Sequence, residues 1–453
     1  MMHQDKEHTI VIRNALLINE GSRRKADVVI SGDRIADILP PGTAAGGQGV
    51  VIIDATGQWL MPGIIDEHVH FREPGLTHKG DIASESAAAA AGGVTSFMEM
   101  PNTLPQTVTL EEWSRKNELA AGKSVINYSF YLGATNSNID ELLSADKGAV
   151  PAIKLFMGAS TGNMLVSDEQ SLDAIFSIKG LPVACHCEDE KIIRANVTAY
   201  RETYGDNIDP AFHPLIRSRE ACLASSSSAI DRARRAGTRL HLLHLSTAEE
   251  TTLLTPGHNP AGKQITAEAC VHHLWFDDTF YAEKGNLIKW NPPVRKASDR
   301  EALVRAVREG LIDIIATDHA PHTIAEKRAP YFSSPSGAPT VQHSLVMMLE
   351  LCHRGELTPE LVISKMCHNP AIVFGIEERG FVREGYKADL VLVDPAAPWT
   401  VSRENLLYKC GWSPLEGTTF RSSVITTFVN GVPVFENGSL TSRCAPEMLR
   451  FRR

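Results

Sequence analysis

The sequence predicts an α/β protein: a (β/α)8 TIM-like barrel flanked by one small β domain assembled from both chain ends. Three observations carry this. Short apolar runs punctuated by Gly, Asn and Pro fill the first sixty residues and return near the C-terminus. Between them, strand-like runs alternate with helix-like segments, the pattern of parallel strands joined by helical crossovers. At 453 residues, the chain also has the length for a barrel plus a satellite domain.

The elements follow in order. "TIVIRNALLIN", "ADVVISGDRIADILP" and "VVIIDATGQWLMPG" read as strands of the N-terminal part, residues 1–62. The barrel, residues 63–380, opens with the apolar approach to "GIIDEHVHFREPG". Next come the Ala-rich helix "HKGDIASESAAAAAGGV", ending in a glycine pair, and the strand "TSFMEMPN". The strands "AIKLFMG", "PVACHCED", "RLHLLHLS", "QITAEACVHH" and "IDIIATDHAPH" alternate with helical stretches such as "SLDAIFSI", "REACLASSSSAIDRARRAG" and "DREALVRAVREG". Residues 381–453 return to strands, "ADLVLVD" and "VITTFVNGVPVFENG", the latter turning at Asn430-Gly431.

Charge and composition exclude several partner classes. The formal net charge is -9 with no long basic run, which argues against nucleic acid and anionic membranes. No apolar segment reaches transmembrane length, and the N-terminus lacks a secretory leader, so a cytoplasmic protein is expected. The eight cysteines are scattered and read as thiols; Cys185 and Cys187, flanking His186 in "ACHCED", face away from it in a strand and read as core.

The unusual polar residues gather where apolar strands stop. His68 and His70, two apart, share a face. Lys154, His186, His244 and Asp318 end four further strands, and in a barrel the reactive groups come from such C-terminal ends. A set of metal-compatible groups on five strand ends points to a metal centre. His241, three before His244, reads as a supporting residue, and the adjacent His272 and His273 are left outside the ligand set. Lys154, between Ile153 and Leu155, is an odd surface lysine; carboxylation of its amine would make it an anionic bridge between two cations.

These motifs, "DEHVH", an isolated strand lysine, two later strand-end histidines and "ATDHAPH", resemble the amidohydrolase superfamily, whose barrel carries a discontinuous β-sandwich domain. More closely, "DEHVHFREPG", "MPNT", "NPPVR" and "ATDHAPH" resemble the dihydroorotases, in order along nearly the whole chain. The resemblance implies that His68, His70 and Asp318 bind one metal, that His186 and His244 bind a second, and that carboxylated Lys154 bridges them. The loop "GASTGNML" lies where related enzymes carry a mobile loop.

The chemistry follows from the residues. A metal lowers the pKa of bound water to about 7 and polarises a carbonyl. Two metals sharing a hydroxide would leave Asp318 to take its proton and hand it to the departing ring nitrogen. Such ligands suit Zn²⁺, two per chain, with Co²⁺ and Mn²⁺ as alternatives. Arg72, two beyond His70 and expected on the same strand-end face, offers a rigid fork to a substrate carboxylate, with a salt bridge to Glu73 as the plainer reading. Asn102 and His322 complete that pocket, while Asn291 and the backbone near Gly337 and Ala338 hold the ring amide, as the resemblance implies. The expected reaction interconverts (S)-dihydroorotate and N-carbamoyl-L-aspartate in pyrimidine synthesis. The alternatives are a dihydropyrimidinase, hydantoinase or allantoinase, whose rings lack that carboxylate, and a catalytically silent scaffold. Homo-oligomers are common among such enzymes.

Overall fold

The computed structural model describes residues 9–158, 164–442 and 446–453. The chain begins with β1 (Thr9–Asn19), β2 (Ser22–Ser31), β3 (Arg34–Leu39), β4 (Val50–Asp54) and β5 (Trp59–Pro62). The barrel strands are β6 (Ile64–Val69), β7 (Val94–Glu99), β8 (Asn127–Phe130), β9 (Leu132–Gly133), β10 (Ile153–Phe156), β11 (Val183–His186), β12 (Leu240–Leu242), β13 (Ile265–Cys270) and β14 (Ile314–Ala316). After them come β15 (Leu390–Asp394), β16 (Trp399–Thr400), β17 (Thr419–Phe420), β18 (Ser423–Val429), β19 (Val432–Glu436) and β20 (Ser439–Leu440).

One nine-stranded sheet joins the two chain ends in the order β20-β19-β18-β15-β5-β1-β2-β3, with β4 beside β1. β15 fits antiparallel between β5 and β18, Leu390 facing Pro62 on one side and Phe428 on the other. Alternation directs Ile10, Ile12, Val28, Ile30, Leu390 and Leu392 into one apolar cluster. The β18–β19 hairpin turns at Asn430 (φ +48°) and Gly431 (φ +76°), where both central residues need positive φ. At Gly431 a Cβ would meet the Gly32 carbonyl at 2.1 Å, so only glycine fits. The stretch "VVIIDATGQWLMPG" divides into two strands: β4 leaves Val51 and Ile52 over 40% exposed, whereas β5 is nearly all buried.

β6, β7 and β8 pair in parallel, as do β9 through β14 in succession. β8 and β9 are one strand interrupted at Tyr131, making eight, and a parallel bridge from Val69 to His319 closes the ring. Helices cross between strands. Helix Ile82–Ala91 starts with Asp81 accepting from Ser84 N–H in a reciprocal cap, and buries Ala88, Ala89 and Ala90 completely. Their small side chains let the β domain close in: Thr427 Oγ1 donates to the Ala90 carbonyl at 2.7 Å. Ile65, Met98, Ala152, Ala184, Leu243 and Ile314 share an apolar cluster with Phe374, Leu449 and Phe451. Residues near the C-terminus thereby return to the barrel, the Leu449 N–H donating to the Tyr128 carbonyl at 2.9 Å. No described helix is long and apolar enough to cross a membrane.

Candidate active site

A cavity of about 260 Å³ is lined by His68, His70, Arg72, Asn102, Lys154, His186, His244, Asn291, Asp318 and His322, joined by Trp290, Ser336 and Gly337 among others. Every side chain singled out from sequence for the site therefore reaches one space, at the C-terminal ends of the barrel strands. Asp318 Oδ1 stands 3.2 Å from His68 Nε2 and 3.0 Å from His70 Nε2. Across the cavity, His186 Nδ1 and His244 Nε2 approach to 2.9 Å. The loop Gly158–Leu165 singled out from sequence lies, in its residues 159–163, outside the described residues.

The backbone at this end is strained. His244 (φ +41°), Asp318 (φ +46°) and Arg72 (φ +73°) are three of the eight non-glycine residues with positive φ among the described residues. Such outliers cost about 1–3 kcal/mol each and persist where surrounding contacts hold them. Asp66 supplies one such contact for Asp318: its carboxyl accepts from Thr317 N–H (3.2 Å) and Thr317 Oγ1 (2.6 Å), tying the first barrel strand to the eighth. Arg72 differs from the expectation. β6 ends at Val69, so Arg72 sits three residues past it on a left-handed loop, not on a strand face. It reaches the cavity because that loop folds back, Glu99 Oε1 accepting its backbone N–H at 3.1 Å.

Two of the four histidines have the nitrogen away from the cavity held by a hydrogen bond. His68 Nδ1 donates to Glu268 Oε1 at 2.5 Å, and His70 Nδ1 donates to Asn102 Oδ1 at 2.8 Å. His186 Nε2 stands 3.0 Å from Glu188 Oε2, a carboxylate also paired with buried Arg217. His244 Nδ1 is buried without a hydrogen bond among the described residues, while the His244 backbone N–H donates to Glu268 Oε1 at 2.8 Å. Fixing one ring nitrogen leaves the other's lone pair for a cation. Two imidazole nitrogens facing each other, and two more facing one carboxylate oxygen, are donor sets of the kind divalent cations fill, so the residues fit a metal centre. His241 belongs to the layer beneath, with Nε2 at 3.2 Å from Glu67 Oε1 and 3.6 Å from Glu268 Oε2.

Electrostatics separate the groups. Burial pushes Asp318 up, but the His68 charge and the contact with His70 outweigh it and hold the carboxyl well below the usual range. Burial lowers His70 to about 4 and Lys154 to about 8. Lys154 Nζ makes no hydrogen bond among the described residues and lies over the Phe156 ring, 4.6 Å from its centre. A buried amine without an anionic partner is readily neutralised.

On the opposite wall, Arg72 is 4% exposed; its Nε donates to the Pro321 carbonyl at 3.0 Å and Nη2 stands 3.0 Å from His322 Nε2. Burial brings it down to about 10. No carboxylate among the described residues lies within ion-pair distance of it, and Glu73 pairs with Lys123 instead. Asn291 Oδ1 is buried without a hydrogen bond among the described residues. The expected backbone contacts narrow: Gly337 N–H donates to the Lys289 carbonyl, its carbonyl accepts from Lys327, and the Ala338 carbonyl accepts from Ala320 N–H. Of these four groups only the Ala338 N–H is uncommitted among the described residues.

Sequence reasoning missed Glu268, Glu188 and Lys79. Glu188 carried a signal, lying two after His186 just past the end of β11, and Glu268 was a lone acid in the apolar run "ITAEAC". Cys270, His272 and His273 bring ligand atoms within 4.8 Å of one another, because the last two begin the helix Val271–Trp275 and are not strand residues. His272 instead stacks on Trp290, with ring centres 4.1 Å apart.

A model of the amidohydrolase family matches residues 59–434. The chain is 35% identical over 435 residues to a dihydroorotase of Halobacterium salinarum, covering 95% of this chain and 98% of that protein. It is 31% identical over 431 residues to a dihydroorotase of Carboxydothermus hydrogenoformans, covering 93% and 96%. It is also 30% identical over 442 residues to an allantoinase of Bacillus velezensis, covering 95% of each. Among solved structures, an L-hydantoinase (dihydropyrimidinase) from Arthrobacter aurescens superposes with a TM-score of 0.92 at 26% identity, covering 98% and 99%.

Proposed function

The chain belongs to the amidohydrolase family and is a hydrolase of cyclic amides, and on that premise we propose that it is a dihydroorotase, opening (S)-dihydroorotate to N-carbamoyl-L-aspartate and closing it in reverse, a step of pyrimidine synthesis. One observation carries the choice of substrate: a buried guanidinium, Arg72, faces the cavity with no carboxylate among the described residues paired to it. A buried unpaired cation is costly, so the cavity is built to receive an anion. Dihydroorotate brings a ring carboxylate; dihydrouracil and hydantoin bring none.

His68, His70 and Asp318 would hold one cation, His186 and His244 a second, and Lys154, carboxylated on its amine, would link them. Two Zn²⁺ ions would supply water acidity at neutral pH and polarise the ring carbonyl. Asp318 takes the proton of the attacking water as its oxygen bonds to the ring carbonyl carbon. It then delivers that proton to the ring nitrogen as the carbon–nitrogen bond breaks. Its carboxyl is an anion at neutral pH, the form that can accept a proton. Arg72, Asn102 and His322 orient the substrate's carboxylate, and Asn291 with the Ala338 N–H addresses the ring amide.

Steady-state turnover of the purified, zinc-loaded chain on dihydroorotate, dihydrouracil, hydantoin and allantoin tests this. Strong preference for dihydroorotate is expected. Preference for an uncharged ring would keep the amide chemistry and refute the substrate, and no turnover on any would favour a silent scaffold.

A further inference from the structure

We propose that Lys79 is a positioning residue that fixes the tautomer of His322, so that His322 presents an N–H, not a lone pair, beside Arg72 to the substrate's carboxylate; the inference rests on the dihydroorotase reading above. Lys79 Nζ stands 3.1 Å from His322 Nδ1. An ammonium only donates, so Nδ1 must accept. A neutral imidazole has one proton, which therefore lies on Nε2. The opposite edge of the ring requires the same: Nε2 is 3.0 Å from the Ser336 carbonyl oxygen, which only accepts. Burial and the nearby Arg72 and Lys79 charges keep His322 neutral.

The same Nε2 is 3.0 Å from Arg72 Nη2, also a donor. The Nε2 proton, donated to the Ser336 carbonyl, thus lies beside the Arg72 Nη2 donor at the cavity wall, where a substrate carboxylate can share it while accepting from Arg72. Lys79 is itself anchored. Its ammonium lies 3.0 Å from Glu326 Oε1, and Glu326 Oε2 accepts from Thr323 N–H and Thr323 Oγ1 at 2.9 Å each, capping the short helix Ile324–Lys327. Without the ammonium, the proton is free to move to Nδ1. Nε2 would then accept from Arg72, which removes one donor from the substrate and turns a lone pair toward its carboxylate.

The test compares KM and kcat of the full, metal-loaded chain with Lys79→Met and Lys79→Arg, using dihydroorotate and dihydrouracil. Loss of one charge-assisted hydrogen bond should raise KM of Lys79→Met for dihydroorotate about tenfold or more. Its kcat should stay within about threefold, its bound metal should be unaltered, and Lys79→Arg should recover most of the affinity. An unchanged KM, or a loss confined to kcat or tracking metal loss, would overturn the proposal. A wild-type chain without preference for dihydroorotate would instead sink the substrate reading, whatever Lys79 does. Nitrogen NMR of ¹⁵N-histidine-labelled wild-type chain, with His322 assigned by its loss in His322→Asn, gives a second readout. A proton on Nε2 is expected, and a proton on Nδ1 would overturn the proposal even if Lys79→Met failed to fold.

Discussion

Replacing Glu268 with Gln should weaken metal binding while sparing the fold. Glu268 is fully buried, and its Oε1 accepts from both His68 Nδ1 (2.5 Å) and the His244 N–H (2.8 Å), so one oxygen orients two of the proposed ligands. A glutamine oxygen can stand in the same place but is neutral, and neutral hydrogen bonds are roughly half as strong as charge-assisted ones. Lost support of this kind weakens metal affinity by about 10–100-fold, or about 1.4–2.8 kcal/mol. The metal-free fold has a compensation. Glu67 is pushed up to about 8, by burial and by the Glu268 charge, and so is largely protonated at neutral pH; with Glu268 neutralised it ionises more readily and takes over the pairing with His241 Nε2, 3.2 Å from its Oε1. Competition with a chromophoric chelator at fixed pH measures the first quantity, and thermal unfolding of the chelated protein measures the second. A dissociation constant unchanged from wild type would refute the orienting role. A large fall in Tm of the metal-free form would show that Glu268 acts through the fold and not through His68.

Four further outcomes are expected. Asp318→Asn should lower kcat by about 10²–10⁴-fold with most metal retained, checked by kinetics beside metal analysis; wild-type turnover would remove Asp318 as the proton carrier. Arg72→Met should raise KM for dihydroorotate by about tenfold or more, and a wild-type KM would end its role in reading the carboxylate. Gly337→Ala places a Cβ 2.6 Å from the Ala320 carbonyl oxygen at φ +123°, and should cost about 1–3 kcal/mol in chemical unfolding; an unchanged midpoint would contradict the crowding. Arg217→Ala leaves Glu188 buried without its cation, and should destabilise the chain by about 3–5 kcal/mol, which an unaltered urea midpoint would refute.

The fold was legible because two independent periodicities agree in this chain. Strand runs such as "IDIIAT" and helix runs such as "DREALVRAVREG" alternate cleanly, and each became β14 or the helix Ala297–Arg308 with ends close to their punctuation. The metal-compatible side chains of the cavity were legible for a related reason, since a polar residue at the end of an apolar strand has little other cause to be there, whereas Asn291 came only from the family resemblance. What the sequence hid depends on distance along the chain. Glu268 meets His68 across 200 residues and Lys79 meets His322 across 243, and no local pattern encodes such pairings. Arg72 was placed correctly in space but for a wrong reason, since its left-handed backbone cannot be read from alternation.

The charges around the cavity bear on why these hidden partners matter. Among the lining residues Asp318 is the one carboxylate, set against Arg72 and Lys154. The acids that balance the histidines, Glu268 and Glu188, are wholly buried behind them and do not line the space. Their negative charge therefore acts through imidazole rings, strengthening the facing nitrogens as ligands, while the open volume stays receptive to anions. A carboxylate on the wall in place of Arg72 would repel the proposed substrate, and one in place of Lys154 would supply a fixed anion without any modification. The lysine instead has its amine depressed by burial and bonded to nothing among the described residues, which raises the share of neutral amine, the form that combines with carbon dioxide. Lys154→Ala should accordingly lose metal and turnover together. A short-chain carboxylic acid added to that variant should restore part of both, because it can offer two oxygens where the modified side chain would; restoration of neither, with the fold intact by circular dichroism, would count against the bridging role.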